Sequence, residues 1–214
     1  MTSSDAANEL ADGVPIIEVE GRRASVTRRT RETNVTAIVD LDGSGEVKLA
    51  TGIGFWDHLL GSLGHHGLFD LEVRAEGDLA VDEHHTVEDV ALVLGSAFCA
   101  ALGDRAGINR FGDARVPMDE SLASAVIDLG GRPYAVIDLP FQGERVGQLP
   151  LQLVEHALEA FARTAGATVH VSGTGRNDHH LAEAAFKALG RALREATTID
   201  PRRVGIASLK GTLR

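Results

Sequence analysis

The 214-residue sequence predicts an α+β fold made of two tandem, pseudo-equivalent halves. Three observations predict it. Strand-like and helix-like segments follow one another without the strict alternation of a parallel α/β protein. The octapeptide DEHHTVED (82–89) returns as NDHHLAEA (177–184), so two histidines followed three residues on by a glutamate occur twice. A solitary acidic-His pair is also repeated: Asp57-His58 matches Glu155-His156 at an offset of 98, and the HH pairs match at 95. The three-residue difference fits in the loop before the second HH pair.

Taken in order, residues 1–20 (MTSSDAANELADGVPIIEVE) are polar, small and weakly patterned, and read as a mobile arm. The segments ASVTRRT, NVTAIVDL and EVKLAT read as strands, with DLDGSGE turning between the last two. FWDHLLGSLGHHG places Trp56, Leu59, Leu60 and Leu63 at helical spacing. LFDLEVRAEG alternates as a strand does, and residues 84–103 form a long helix rich in Val, Ala and Leu. The second half retraces this order. SLASAVIDLG and RPYAVIDLP are strands, LQLVEHALEAFARTAG is a helix, ATVHVSG a strand, and 179–196 a second long helix. The boundaries expected are 21–108 and 109–214, joined near 104–114 without a flexible linker.

Composition narrows the function classes. Hydrophobic residues are 43% and charged residues 24%, as in ordinary globular proteins, and the length suffices for a sizeable core. A net charge of −10 argues against nucleic acid as a partner but leaves room for a local basic pocket. Cys99 is the one cysteine, so no internal disulfide forms; in FCAAL it reads as a small buried hydrophobe. No apolar stretch approaches membrane length and no signal-type segment opens the chain, so a soluble, cytoplasmic protein with no membrane partner is expected.

Helix geometry limits what HHxxE can do. Residues i and i+4 lie about 40° apart around the axis, whereas i and i+1 lie about 100° apart. His84 and Glu88 can grip one ion together while His85 points elsewhere, and likewise His179 and Glu183 against His180. With His58 and His156 this makes eight ligands, enough for two sites of three imidazoles and one carboxylate. A single HH pair at a helix start is as often solvated polar surface; duplication with a matching third histidine favours metal binding. His65, His66 and His170 lack that duplication and are not metal ligands in this reading. Zinc, Mn²⁺ and Fe²⁺ all suit imidazole and carboxylate donors.

Groups for an anion are present too. Lys187 continues the series from His179 and Glu183, where the first half has Leu92. The C-terminal SLKG (208–211) offers the Ser208 hydroxyl, the Lys210 ammonium and flexible backbone, a phosphate-binding tail. Arg110 in GINRFG and Arg132 in GGRPY sit at loop-strand junctions within reach of a phosphate. Taken singly, Lys187 reads equally well as an exposed helix lysine, SLKG is a weak pattern, and Arg110 or Arg132 is more often a surface ion pair.

The motifs GIGFWDHLLGSLGHHGLFDLEV, GDLAVDEHHTVEDVA, GINRFG, PMDES, GRPY, DHHLAEAAFKALGRAL and SLKG occur in the order found in imidazoleglycerol-phosphate dehydratases, which the chain resembles over about residues 22–213. The resemblance implies two copies of a fold similar to domain 2 of ribosomal protein S5, each a sheet with helices on one face. It implies a homo-oligomer of twenty-four subunits with active sites where subunits meet, and two Mn²⁺ ions per active site. Carried over by motif, His58, His85, His179 and Glu183 would hold one ion, and His84, Glu88, His156 and His180 the other. The implied substrate is a small phosphorylated imidazole: imidazole glycerol phosphate loses water to give imidazole acetol phosphate in histidine biosynthesis. The carbon-2 proton has no adjacent carbonyl, so a dimetal-stabilised imidazolate would expel the carbon-3 hydroxyl before a base removes that proton. Glu32, in RETN, is the implied acid-base residue. Glu32, His58, His66, Arg110, Arg132, Lys187, Ser208 and Lys210 match positions that bind substrate. Two departures are modest: FWDHLL stands for FFDHML, and SLKG for STKG, which removes one hydroxyl beside the phosphate grip. The competing readings are a dinuclear metal phosphate-ester hydrolase and a non-catalytic protein assembled by its metals.

Overall fold

A computed structural model describes residues 13–213. Alternation builds its sheets. In β3 (Thr33–Asp40) the residues Val35, Ala37 and Val39 are buried while Asn34 is exposed and Thr36, Ile38 and Asp40 are half-buried. β7 (Ser121–Asp128) repeats that pattern with Ala123, Ala125 and Ile127 inside. The first sheet runs β1 (Ile16–Glu20), β2 (Arg23–Arg29), β3, β5 (Asp70–Gly77), β4 (Val47–Ala50). The second runs β6 (Phe111–Met118), β7, β11 (Thr168–Thr174), β8 (Tyr134–Asp138). Apart from β1 the two are the same sheet: three antiparallel strands, with a fourth parallel to its neighbour.

The structure departs from the sequence reading at three places. Ile16–Glu20, read as arm, is an exposed strand on the edge of the first sheet; residues 1–12 of the expected arm lie outside the described residues. Its IIEVE has no buried side, hence no inside-outside alternation to read. β6 starts at the loop-strand junction expected at Arg110, but its extent was not foreseen, because FGDARVPM carries charges and Pro117; as an edge strand it tolerates the missing N–H. Between β8 and the helix that starts at Gln152, a two-residue ladder of β9 (Arg145–Val146) and β10 (Leu149–Pro150) was also not foreseen.

The helices α1 (Gly54–Gly67), α2 (His84–Leu102), α3 (Gln152–Ala165) and α4 (Asp178–Thr197) lie between the sheets, and they pair across the halves: α1 packs on α4, and α2 on α3. Trp56 meets Phe186 edge-on at 5.6 Å, and Phe98 meets Phe161 at 5.5 Å. Each such buried ring contributes roughly 1.5–3 kcal/mol through the area it removes from water. Two glycines at matching positions permit the close crossings. A Cβ on Gly190 would lie 2.3 Å from the Leu63 carbonyl oxygen, and one on Gly95 would lie 2.6 Å from that of Phe161. One hydrophobic core therefore spans both halves. Among the described residues α2 is long and apolar enough to cross a membrane, contrary to the sequence reading, but 67% of it is buried against the rest of the protein.

Candidate functional site

The cross-half helix pairs determine which histidines meet. α1 lies on α4, so His58 joins His179 and Glu183; α3 lies on α2, so His156 joins His84 and Glu88. In each trio the candidate ligand atoms lie within 4.8 Å of one another. The i, i+4 argument therefore holds in space: His84 sits with Glu88, and His179 with Glu183, while His85 and His180 stand outside both trios.

In the trio on α4, Glu183 Oε2 is hydrogen-bonded to His58 Nε2 at 2.8 Å and to His179 Nε2 at 3.2 Å. Its other oxygen pairs with Lys187 Nζ at 2.6 Å. Burial opposes ionisation of Glu183, but the Lys187 and His58 contacts outweigh it and pull the carboxyl down to about 2. Lys187 continues the i, i+4 series beside the trio, and its ammonium is committed to the Glu183 carboxylate. In the trio on α2, His84 Nε2 and His156 Nε2 lie 3.9 and 3.5 Å from the Glu88 oxygens, and Arg163 Nη2 lies 3.3 Å away. His156 Nε2 is buried with no hydrogen-bond partner among the described residues. A buried nitrogen of that kind is costly unless something coordinates it, so the donor set fits a divalent cation.

The two outlying histidines are each tied to a carboxylate. His85 Nδ1 is 3.0 Å from Asp78 Oδ2, and Glu32 Oε2 lies further off at 3.8 Å. The Asp78 bond raises the His85 pKa above its usual value. His180 Nδ1 is 3.0 Å from Glu120 Oε2, and this bond is the main cause that takes the Glu120 carboxyl down to about 2. Asn177 orients the start of α4 by accepting from the His179 and His180 N–H groups. The 140–146 segment braces both motifs: Gln142 and Gly143 donate backbone N–H groups to Asp178, and Arg145 pairs with Glu83 at 3.2 Å.

The anion groups gather elsewhere. Arg110, Arg132, Ser208 and Lys210 line a cleft of about 700 Å³ at the end of α4 remote from the histidines. Arg203 lines it too and was not foreseen, although the DPRR run (200–203) was visible. The Arg110 fork is occupied: it clasps Asp128 at 2.6 and 2.9 Å and donates to the Ala207 carbonyl at 2.7 Å. The sequence reading likewise missed Asp78 and Glu120, although Glu120 stands in the PMDES motif. His66 belongs to neither trio nor cleft; burial first, then nearby Lys187, lowers its pKa.

A family model described as imidazoleglycerol-phosphate dehydratase matches residues 51–193. The imidazoleglycerol-phosphate dehydratase of Methanoculleus marisnigri is 52% identical over 192 residues, covering 90% of this chain and 100% of that protein. That of Acidiphilium cryptum is 53% identical over 194 residues, covering 90% and 99%. Among solved structures, the imidazoleglycerol-phosphate dehydratase of Staphylococcus aureus superposes with a TM-score of 0.75 at 32% identity, covering 83% of this chain and 99% of that one. IGPD from Pyrococcus furiosus, solved with (S)-C348, gives the same TM-score at 31% identity, covering 87% and 99%.

Proposed function

The chain belongs to the imidazoleglycerol-phosphate dehydratase family, and we propose how its residues divide the work of that reaction. It is a hydro-lyase that converts imidazole glycerol phosphate to imidazole acetol phosphate and water in histidine biosynthesis. In the proposed arrangement two Mn²⁺ ions serve each active site, one on His58, His85, His179 and Glu183, the other on His84, Glu88, His156 and His180. Donors of this kind, with no thiolate, suit a cation that keeps open positions for a substrate. Such ions, when bound, supply Lewis acidity to the nitrogens of the substrate ring.

One observation carries the assignment: each trio holds two imidazoles and a carboxylate, and the second histidine of each HH pair, His85 and His180, joins neither. A complete site then takes its fourth ligand from another copy, which supports a homo-oligomer with sites at subunit interfaces, twenty-four subunits by family resemblance. Length supports it independently. His179 and Ala196, whose carbonyl accepts from Arg110 beside the cleft, are seventeen residues apart on α4, about 26 Å at 1.5 Å per residue. The substrate spans on the order of 9 Å from ring to phosphorus, counted in bonds of about 1.5 Å. Trio and cleft of one chain therefore serve different substrate molecules.

Within that arrangement Arg132, Arg203, Lys210 and Ser208 hold the phosphate, and Arg110 shapes the cleft by fixing the tail at Ala207. Lys187 keeps Glu183 ionised and aimed at the trio. His66, close to Lys187, is the remaining substrate contact. Glu32 is the acid-base residue, taking the carbon-2 proton at its carboxylate. A cytoplasmic setting completes the proposal, as fits a biosynthetic enzyme. The test is to supply imidazole glycerol phosphate to protein carrying measured amounts of metal. Ketone should form, and a chelator should abolish it; release of inorganic phosphate in its place would overturn the reading.

A further inference from the structure

We propose that Asp78 and Glu120 are positioning residues that hold the rings of His85 and His180 by Nδ1, and that Asp78 thereby leaves Glu32 uncommitted to His85. The inference rests on the ligand and acid-base roles proposed above. It starts from the register of the sheets. Asp40 ends β3 as Asp128 ends β7, an offset of 88, which makes Glu120 the counterpart of Glu32. Symmetry would therefore put Glu32 on His85 as Glu120 is on His180. Instead Glu32 stands off at 3.8 Å, its side chain 55% exposed, and Asp78 takes the ring nitrogen at 3.0 Å. Asp70 and Thr168 pair with those same strand ends, an offset of 98, so the counterpart of Asp78 is Arg176, a cation that cannot accept a hydrogen bond.

Glu120 is spent on this task. Its Oε2 holds His180, and its Oε1 accepts from Ser121 Oγ at 3.0 Å and from the backbone N–H groups of Asn177 and Arg176 at 2.9 and 3.3 Å. The two halves thus solve one problem with different carboxylates. A carboxylate on Nδ1–H places the lone pair on Nε2 and turns that atom outward. Neither Nε2 makes a hydrogen bond or ion pair among the described residues. Partners of this sort are worth about 10–100-fold in metal affinity.

The experiment is a Mn²⁺ titration of Asp78→Asn, Glu120→Gln and Glu32→Gln at one pH, following the paramagnetic resonance signal of free aqueous Mn²⁺. Far-UV circular dichroism checks that each variant folds. Asp78→Asn and Glu120→Gln should each weaken one of the two Mn²⁺ sites by about 10–100-fold, and Asp78→Glu should restore much of the loss. Glu32→Gln should bind Mn²⁺ as the unaltered protein does. Unchanged affinity in Asp78→Asn and Glu120→Gln overturns the inference, as does a Glu32→Gln loss equal to that of Asp78→Asn. Should Asp78→Asn fail to fold, Glu120→Gln decides alone. Full turnover in Glu32→Gln would sink the acid-base role instead, and the Mn²⁺ affinities would still decide the positioning role.

Discussion

Apart from β1 the two halves carry the same sheet, the same helix pair and the same histidine-glutamate set, yet they surround the glutamates of their trios differently. Glu183 lies beside Lys187, a cation one turn further along its own helix, at 2.6 Å and with both side chains largely buried. Glu88 has Leu92 in that place and draws instead on Arg163 of α3 at 3.3 Å, with the arginine 60% exposed. The next residue diverges too. Asp89 is buried, bonded to Arg28 at 2.5 Å and to the Thr33 hydroxyl, whereas its counterpart in the second half is Ala184. The histidine and glutamate positions repeat between the halves, whereas the groups that surround them differ.

Four changes would break or sharpen this contrast. The largest effect belongs to what the halves share. Glu88→Ala and Glu183→Ala should each lose one of two ions and at least about 100-fold in turnover. Metal analysis should find His84→Ala missing the same ion as Glu88→Ala, and His85→Ala missing the other; any other pairing defeats the two-ion scheme. Asp89→Ala comes next. It strands Arg28 and Thr33 and should cost about 2–3 kcal/mol in denaturant unfolding of metal-free protein. A cost below about 0.5 kcal/mol would mean that the buried pair is not structural. Third, Lys187→Met should destabilise metal-free protein by about 1–2 kcal/mol, against under about 1 kcal/mol for Arg163→Ala. Equal effects would erase the electrostatic difference between the halves.

The smallest effect is in pH. The Glu183 carboxyl is depressed to about 2 in the fold, below an unfolded value near 4.3. Its contribution to stability is complete above that unfolded value and is lost as pH falls through about 2. Acid unfolding of metal-free Lys187→Met should therefore begin at higher pH than in the unaltered protein. Coincident acid curves would show that Lys187 is not what holds Glu183 ionised.

Much of this was legible in the residues. The repeat could be read because a histidine and a glutamate recur at i, i+4 helical spacing, as His84 with Glu88 and His179 with Glu183. The strands could be read wherever one face is buried, as in β3 and β7. Legibility ended where one of those conditions failed. Ile16–Glu20 buries neither face, and β6 tolerates charge and proline at an edge. Asp78 and Glu120 reach their histidines across loops, 7 and 60 residues away, so no period links them. Lys187 shows the intermediate case: spacing placed it on the face of His179 and Glu183 but could not say which anion it would meet.

The crosswise pairing of the helices has a consequence for how the molecule can be divided. Each trio draws on both sides of the join, His58 with His179 and Glu183, His156 with His84 and Glu88. A fragment ending before Phe111 would carry an incomplete chelate at each end and two bare helix faces, and so would its complement. The halves stand to each other as the subunits of an obligate homodimer do, each finishing the other's sites. A nick between them leaves two pieces that must find one another again, and the chain is best understood as a dimer whose partners share one backbone.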